Sequence, residues 1–121
     1  MAIDPGFRAE NVITFQVGLP MNRYQGPPER IRFIEAVVDK LRSVPGVAEA
    51  ASGAYGPMGS MRATRRFAIG GKPLPPAGTE PIAIDLPAGP TYASVMGLRV
   101  IDGRWISEHD RPDSPPVVVV S

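Results

Sequence analysis

Residues 28–47, Pro28-Glu29-Arg30-Ile31-Arg32-Phe33-Ile34-Glu35-Ala36-Val37-Val38-Asp39-Lys40-Leu41-Arg42-Ser43-Val44-Pro45-Gly46-Val47, decide the class of fold. Ile31, Ile34, Val38 and Leu41 recur at steps of three and four, with Val37 and Val44 widening the stripe, which is the period of a helix with one apolar face. Pro28 and Glu29 suit the first turn, where a proline forfeits no hydrogen bond and a carboxylate meets the positive end of the helix dipole. Arg30, Arg32, Glu35, Asp39, Lys40 and Arg42 fill the remaining face, which reads as solvated. Pro45-Gly46 stops the helix. The stripe needs a layer to cover it, and the flanking segments read as strands.

Upstream, Asn11-Val12-Ile13-Thr14-Phe15-Gln16-Val17-Gly18-Leu19 sets Ile13, Phe15, Val17 and Leu19 on one face at period two, a half-buried strand ended by Pro20. Residues 22–28 read as a loop. Downstream, Val47 to Ala54 reads as a second strand whose small side chains admit a close neighbour. Tyr55 to Ala63, rich in Gly and Met, is a loop. Thr64 to Gly70 is a short strand, Gly71-Lys72-Pro73 a turn, and the proline-rich stretch to Pro81 leads into a strand over Ile82–Leu86. Thr91 to Met96 follows Pro90 as a helix of one to two turns closed by Gly97. Leu98 to Arg104 is a strand with a turn, Ile106 to Pro116 a loop, and Val117-Val118-Val119-Val120 a buried strand introduced by Pro115-Pro116. The order predicts an α+β fold: a mixed or antiparallel sheet, one main amphipathic helix over about 29–44, a short second helix over about 91–96, and long Pro/Gly-rich loops.

Composition narrows the class. The 121 residues suit one domain of common size. Fifteen prolines and thirteen glycines approach a quarter of the chain, yet 43% hydrophobic residues is an ordinary globular value, which places the excess in turns. Thirteen basic against twelve acidic residues leave +1 with no basic stripe, so no nucleic-acid footprint is visible. The absence of cysteine removes a disulfide framework, a thiolate zinc site and a thiol nucleophile together. The longest apolar run, Val117 to Val120, falls far short of the roughly 20 residues of a membrane helix. Met1-Ala2-Ile3-Asp4-Pro5-Gly6 lacks the regions of a signal peptide. Either a cytoplasmic protein or a piece of a longer chain fits, and a β-branched run that stops at Ser121 favours the piece.

Candidate chemistry is sparse. Gly70-Gly71-Lys72-Pro73 lacks the glycine spacing and the following Ser or Thr of a phosphate loop, and reads as a turn. His109, the single histidine, lies in the polar run Glu108-His109-Asp110 and needs partners from elsewhere to act as a base or a ligand. Glu108, Asp110 and Asp113 lack the alternating, glycine-punctuated pattern of a calcium loop. Ser52-Gly53-Ala54 lacks the flanks of a nucleophile elbow. No catalytic, metal or cofactor residue is assigned. The candidate partner surface is Met58 and Met61, in a glycine-rich loop able to adapt to an apolar partner, with the basic cluster Arg62, Arg65 and Arg66, suited to an acidic partner or lipid headgroups. Strand alternation sets Arg65 and Arg66 on opposite faces, against a joint anion site.

Several stretches in order resemble one family. They are Asp4-Pro5-Gly6-Phe7-Arg8-Ala9-Glu10-Asn11-Val12, Arg42-Ser43-Val44-Pro45-Gly46-Val47, Pro90-Thr91-Tyr92 with Met96-Gly97-Leu98, Gly103-Arg104-Trp105, and Asp110-Arg111-Pro112-Asp113-Ser114-Pro115-Pro116 running into Val117 to Ser121. Together they are similar to the MacB-like periplasmic core domain of FtsX-type ABC transporter permeases, particularly the duplicated permeases of soil bacteria. The resemblance implies a single extracytoplasmic domain over 1–121 between the first two membrane helices, without its carboxyl-terminal part and the flanking membrane helices. It implies no catalytic residue or cofactor. As partners it implies a cytoplasmic ATP-binding subunit, a second permease copy and a periplasmic or outer-membrane protein. ATP hydrolysis by the subunit then drives motion that serves export or activates the partner. Two other readings compete: a ligand-binding sensory domain of a membrane receptor, and a small hydrolase using His109 with Glu108 or Asp110. An incomplete sheet leaves an apolar face or a strand edge open, so the chain is expected to self-associate by pairing or exchanging strands.

Overall fold

A computed structural model describes residues 6, 10–20, 22–53 and 63–121. The element order is α1 (Pro27–Arg42), β1 (Ala63–Arg66), β2 (Ile82–Asp85) and α2 (Tyr92–Met96). β1 and β2 form a two-stranded antiparallel sheet, so the architecture is α+β. The chain divides into two compact units, Met1–Ser52 with Ala88–Ser121, and Gly53–Pro87.

In the first unit, α1 begins with both Pro27 and Pro28 in its first turn and ends with Lys40 and Arg42 in its last. Gly26 caps it without a side-chain hydrogen bond, and the Glu29 carboxylate folds back so closely that a Cβ at Gly26 would sit 2.5 Å from Oε2. The apolar stripe is only half covered: Ile31, Val37, Val38 and Leu41 are half-buried, whereas Ile34 and Val44 are exposed. Phe33, on the flank of the stripe, packs edge-on against Tyr24 with ring centroids 5.0 Å apart. After α1 the chain reverses at Val44-Pro45-Gly46-Val47, where the Val47 N–H donates to the Val44 carbonyl at 3.1 Å and Gly46 takes φ +88°. Proline second and glycine third is the residue choice such a turn demands.

α2 is one turn and a half, so its closure matters more than its propensity. Gly97 adopts the left-handed conformation at φ +67°, its N–H donates to the Ser94 carbonyl at 3.3 Å, and the Leu98 N–H reaches back to the Ala93 carbonyl at 2.8 Å. This pair of bonds is a Schellman closure. Ala93 and Met96, on the inner side of α2, and Ala50 form the buried core of the described residues.

The second unit is a hairpin. The register pairs Ala63 with Asp85, Thr64 with Ile84, Arg65 with Ala83 and Arg66 with Ile82, and the Phe67 N–H continues it to the Pro81 carbonyl at 3.0 Å. Two turns shape the connection, Ile69-Gly70-Gly71-Lys72 closed at 3.1 Å and Pro76-Ala77-Gly78-Thr79 closed at 3.0 Å. In each the third residue is a glycine at positive φ, +78° for Gly71 and +87° for Gly78. The phosphate-loop look of Gly70 to Pro73 therefore resolves into turn chemistry.

Of the segments read as strands, 11–19, 98–104 and 117–120 have no ladder partner among the described residues, and 47–54 has only an isolated bridge at Gly53 among its described residues. Residues 11–19, read as half-buried, leave Ile13 90%, Phe15 60% and Val17 49% exposed, and Val118 and Val120 are 83% exposed where burial was expected. The physical reason is common to all four. Alternation marks a segment fit for a sheet, but a strand exists only with a neighbour whose N–H and C=O groups complete its own. The loop read over 55–63 lies outside the described residues up to 62.

Gly46 and Gly18 offer a paired test of the turn. A Cβ meets nothing within 4 Å at either position, and only Gly46 has positive φ. Gly46→Ala is expected to destabilise the chain by about 1–2 kcal/mol through backbone strain alone, and Gly18→Ala to stay within about 0.5 kcal/mol, both read from urea denaturation midpoints.

Candidate functional site

Of the sequence-predicted partner surface, Met58, Met61 and Arg62 lie outside the described residues. Arg65 and Arg66 stand on β1, each exposed. The register sends them to opposite faces of the ladder, and each finds a carboxylate diagonally across on its own face. Arg65 Nε donates to Asp85 Oδ2. Arg66 donates through one terminal nitrogen to the Gly78 carbonyl at 3.2 Å and to Glu80 Oε2 at 3.4 Å. Glu80 Oε2 is fixed in turn by the Gly78 N–H at 2.9 Å. These exposed pairs contribute on the order of 0–1 kcal/mol each. Their larger effect is to cancel the charge that a lipid headgroup or acidic partner would seek. Beside Arg66 on the same face lie Ile82 and Ile84, 58% and 47% exposed. The strands thus present paired charges beside exposed apolar side chains, a composition suited to protein contact.

The first unit holds a polar junction that sequence reading did not find. Arg42, the last residue of α1, donates from Nε to Glu49 Oε1, from one terminal nitrogen to Thr91 Oγ1 at 3.3 Å and from the other to Asp39 at 3.5 Å. Thr91 Oγ1 itself donates to the Ala50 carbonyl at 2.7 Å, and the Ala50 N–H donates to Glu49 Oε1 at 2.9 Å. The Ala50 N–H, and then Arg42, hold the Glu49 carboxyl below its ordinary range. One guanidinium therefore ties the end of α1 and segment 47–50 to the residue that caps α2.

Next to it the Gly89 N–H donates to the Ser52 carbonyl at 2.8 Å. The Gly89 carbonyl accepts both the Tyr92 N–H and the Trp105 indole N–H, each at 3.2 Å, while the Tyr92 and Trp105 rings stack nearly parallel with centroids 6.4 Å apart. A Cβ on Gly89 would fall 2.5 Å from Ser52 Oγ and 3.3 Å from the Ser52 carbonyl oxygen, so a side chain there would force Ser52 to shift.

The third cluster fixes loop 104–114. Arg104 grips Asp110 with two bonds of 2.8 and 2.9 Å, and Asp110 Oδ2 also accepts the Ser107 N–H at 2.7 Å. Arg104 first, then Ser107, hold the Asp110 carboxyl well below the usual carboxylate range. Asp110 is consequently engaged and not available to His109, whose exposed side chain sits on a backbone held by Ser107 Oγ at 3.2 Å. Arg111 reaches Glu35 on α1 at 2.7 Å, and together with Pro28, Ile31 and Pro112 they border a shallow groove of about 220 Å³. Glu108, Asp110 and Asp113 do not converge, and among the described residues no group of three carboxylates or histidines is placed to share a metal ion.

Chemically these arrangements bind backbone and cancel charge; their polar atoms are spent on one another. The hints available in sequence were the isolated Thr91 after Pro90 and the single Trp105, but their partners lie up to 49 residues away. Comparison with known proteins finds no matching family model, curated protein or solved structure.

Two outcomes follow from these contacts. Gly89→Ala is expected to cost about 1–3 kcal/mol through overpacking, and adding Ser52→Ala to recover most of it, because the nearest remaining atom is then a backbone oxygen at 3.3 Å; a urea double-mutant cycle measures the coupling. Asp110, with its folded pKa depressed, contributes stability above its unfolded value near 3.9 that is lost progressively as pH falls below it. Asp110→Asn is expected to flatten the acid limb of a thermal-unfolding series between pH 5 and 2, the difference between the two proteins narrowing toward the acid end.

Proposed function

We propose that this chain is a non-catalytic, extracytoplasmic domain of an FtsX-type ABC transporter permease, with the MacB-like periplasmic core as its pattern. Its task in that reading is to pass ATP-driven motion of the membrane part to an exported substrate or a partner protein. One observation carries the proposal: separated stretches that resemble the family bind one another. Arg42 of the first joins Thr91 of the second; Tyr92 of the second stacks on Trp105 of the third; Arg104 of the third grips Asp110 of the fourth. Residues that cooperate in one framework across nearly 70 positions support a shared architecture better than scattered matches would. The roles they take are turn, cap and staple, which suits a domain that transmits force and leaves chemistry to a separate subunit. The sequence carries no phosphate loop, and ATP hydrolysis in this reading belongs to the cytoplasmic ATP-binding subunit.

The hairpin with its exposed Ile82 and Ile84, together with Met58, Met61, Arg62, Arg65 and Arg66, is then the surface offered to a second permease copy or to a periplasmic or outer-membrane partner. The decisive experiment expresses the complete reading frame in a bacterial membrane with Val118→Cys as the single cysteine. Labelling of intact cells by a membrane-impermeant maleimide, and co-purification of an ATP-binding subunit, are expected. Labelling only after lysis would defeat the extracytoplasmic placement, and co-purification of a kinase or other signalling module in its stead would favour the sensory-receptor reading.

A further inference from the structure

Asp102-Gly103 is the one place in the sequence where an aspartate precedes a glycine, and no asparagine precedes one. Both residues are exposed, in the bend just before Arg104. The Asp102 side chain folds forward onto its own backbone, where Oδ1 accepts the Gly103 N–H at 3.0 Å. Among the described residues this carboxylate has no other hydrogen bond or ion pair. Gly103 takes φ +76°, and a Cβ there would meet nothing within 4 Å, so the space beside its backbone is open.

We propose that Asp102-Gly103 is a site of covalent self-modification in the folded chain, at which aspartate converts to isoaspartate through a succinimide and loosens the loop that follows. The Gly103 nitrogen attacks Cγ of the Asp102 side chain in its carboxylic acid form. The N–Cγ bond forms, a Cγ–O bond breaks, and the amide proton leaves with the hydroxyl as water. Water then opens the ring at one of its two carbonyl carbons. Addition at Cγ returns aspartate. Addition at the Asp102 backbone carbon breaks that carbon's bond to nitrogen, so the chain now runs through Cβ and Cγ and the old backbone carbon becomes the free carboxylate. The fold supplies proximity: Oδ1 is bonded to Cγ and already touches the attacking N–H, and glycine puts no side chain in the way.

The other aspartates lack this combination. Asp4 precedes Pro5, whose nitrogen has no proton to lose. Asp39 lies within α1, and Asp85 is paired with Arg65. Asp110 is gripped by Arg104, and after Asp113 the Ser114 N–H is committed to the Arg111 carbonyl at 2.9 Å. Conversion at Asp102 adds a methylene to the main chain two residues before Arg104. Arg104 holds Asp110 and Trp105 holds the Gly89 carbonyl, so the longer backbone displaces both attachments of this loop. This inference uses none of the transporter reading, and either stands if the other fails.

The test incubates the purified full chain in mildly acidic buffer and follows the tryptic peptide 100–104 by chromatography and mass spectrometry. A second peptide of the same mass is expected, preceded by a species lighter by one water, and at a level several-fold above that of any other aspartate-containing peptide. Asp102→Glu should stop the conversion, because the ring would need a further carbon, and the Tm of the incubated chain should fall while that of the Glu variant holds. The rate in the folded chain should equal or exceed the rate in urea. Slower conversion in the folded chain than in urea overturns the proposal, since the geometry then hinders the ring. So do isoaspartate concentrated at another aspartate and a converted chain whose Tm has not moved.

Discussion

The close approach of Gly89 to Ser52 is the constraint on which the first unit depends. The 2.8 Å bond between their backbones brings residues 37 positions apart into contact, so close that a Cβ at position 89 would fall 2.5 Å from Ser52 Oγ. Once that contact exists, the Gly89 carbonyl can hold both the first turn of α2 and the indole of Trp105. Thr91 then falls within reach of Ala50 and Arg42, so the end of α1 is fixed to the start of α2. The small buried core of Ala50, Ala93 and Met96 sits beside this polar frame. With so few large side chains buried, order here rests on directional bonds more than on apolar volume, because each bond fixes a geometry that non-directional burial does not.

That balance bears on what the chain does. Arg42, Glu49, Thr91, Arg104 and Asp110 are paired with one another or with backbone, and Arg65 and Arg66 have carboxylates of their own. Apolar side chains meanwhile stand exposed on the hairpin and along residues 13–17. Paired polar groups beside exposed apolar ones are what the proposed role in a permease draws on.

The second unit shows how a short sheet manages charge. Two adjacent arginines on a strand must face opposite ways, so each needs its own counter-charge. β2 and the turn before it supply Asp85 for one face and Glu80 for the other, each set diagonally. Glu80 is oriented by the Gly78 N–H, and that group is placed by the positive φ of Gly78. A glycine chosen for turn geometry thereby also positions a carboxylate.

Whatever depends on neighbours within a turn or two was legible in the residues alone. The helix read over about 29–44 occupies Pro27–Arg42, Pro45-Gly46 reverses the chain, Gly97 closes the short helix, and the two segments around 64–70 and 82–86 pair as strands. Exposure of Arg65 and Arg66 on opposite faces was legible too, since alternation is local. Which strand-like segments gain a partner was not legible there: among the described residues, 11–19, 98–104 and 117–120 carry the pattern without the ladder, and 47–53 has an isolated bridge alone. The tertiary structure alone joined Arg42 to Thr91, Trp105 to Gly89 and Arg111 to Glu35. The reason is physical: a cap or a turn is written in consecutive residues, whereas a strand and a long-range hydrogen bond are relations between segments, and nothing in either segment alone specifies its mate.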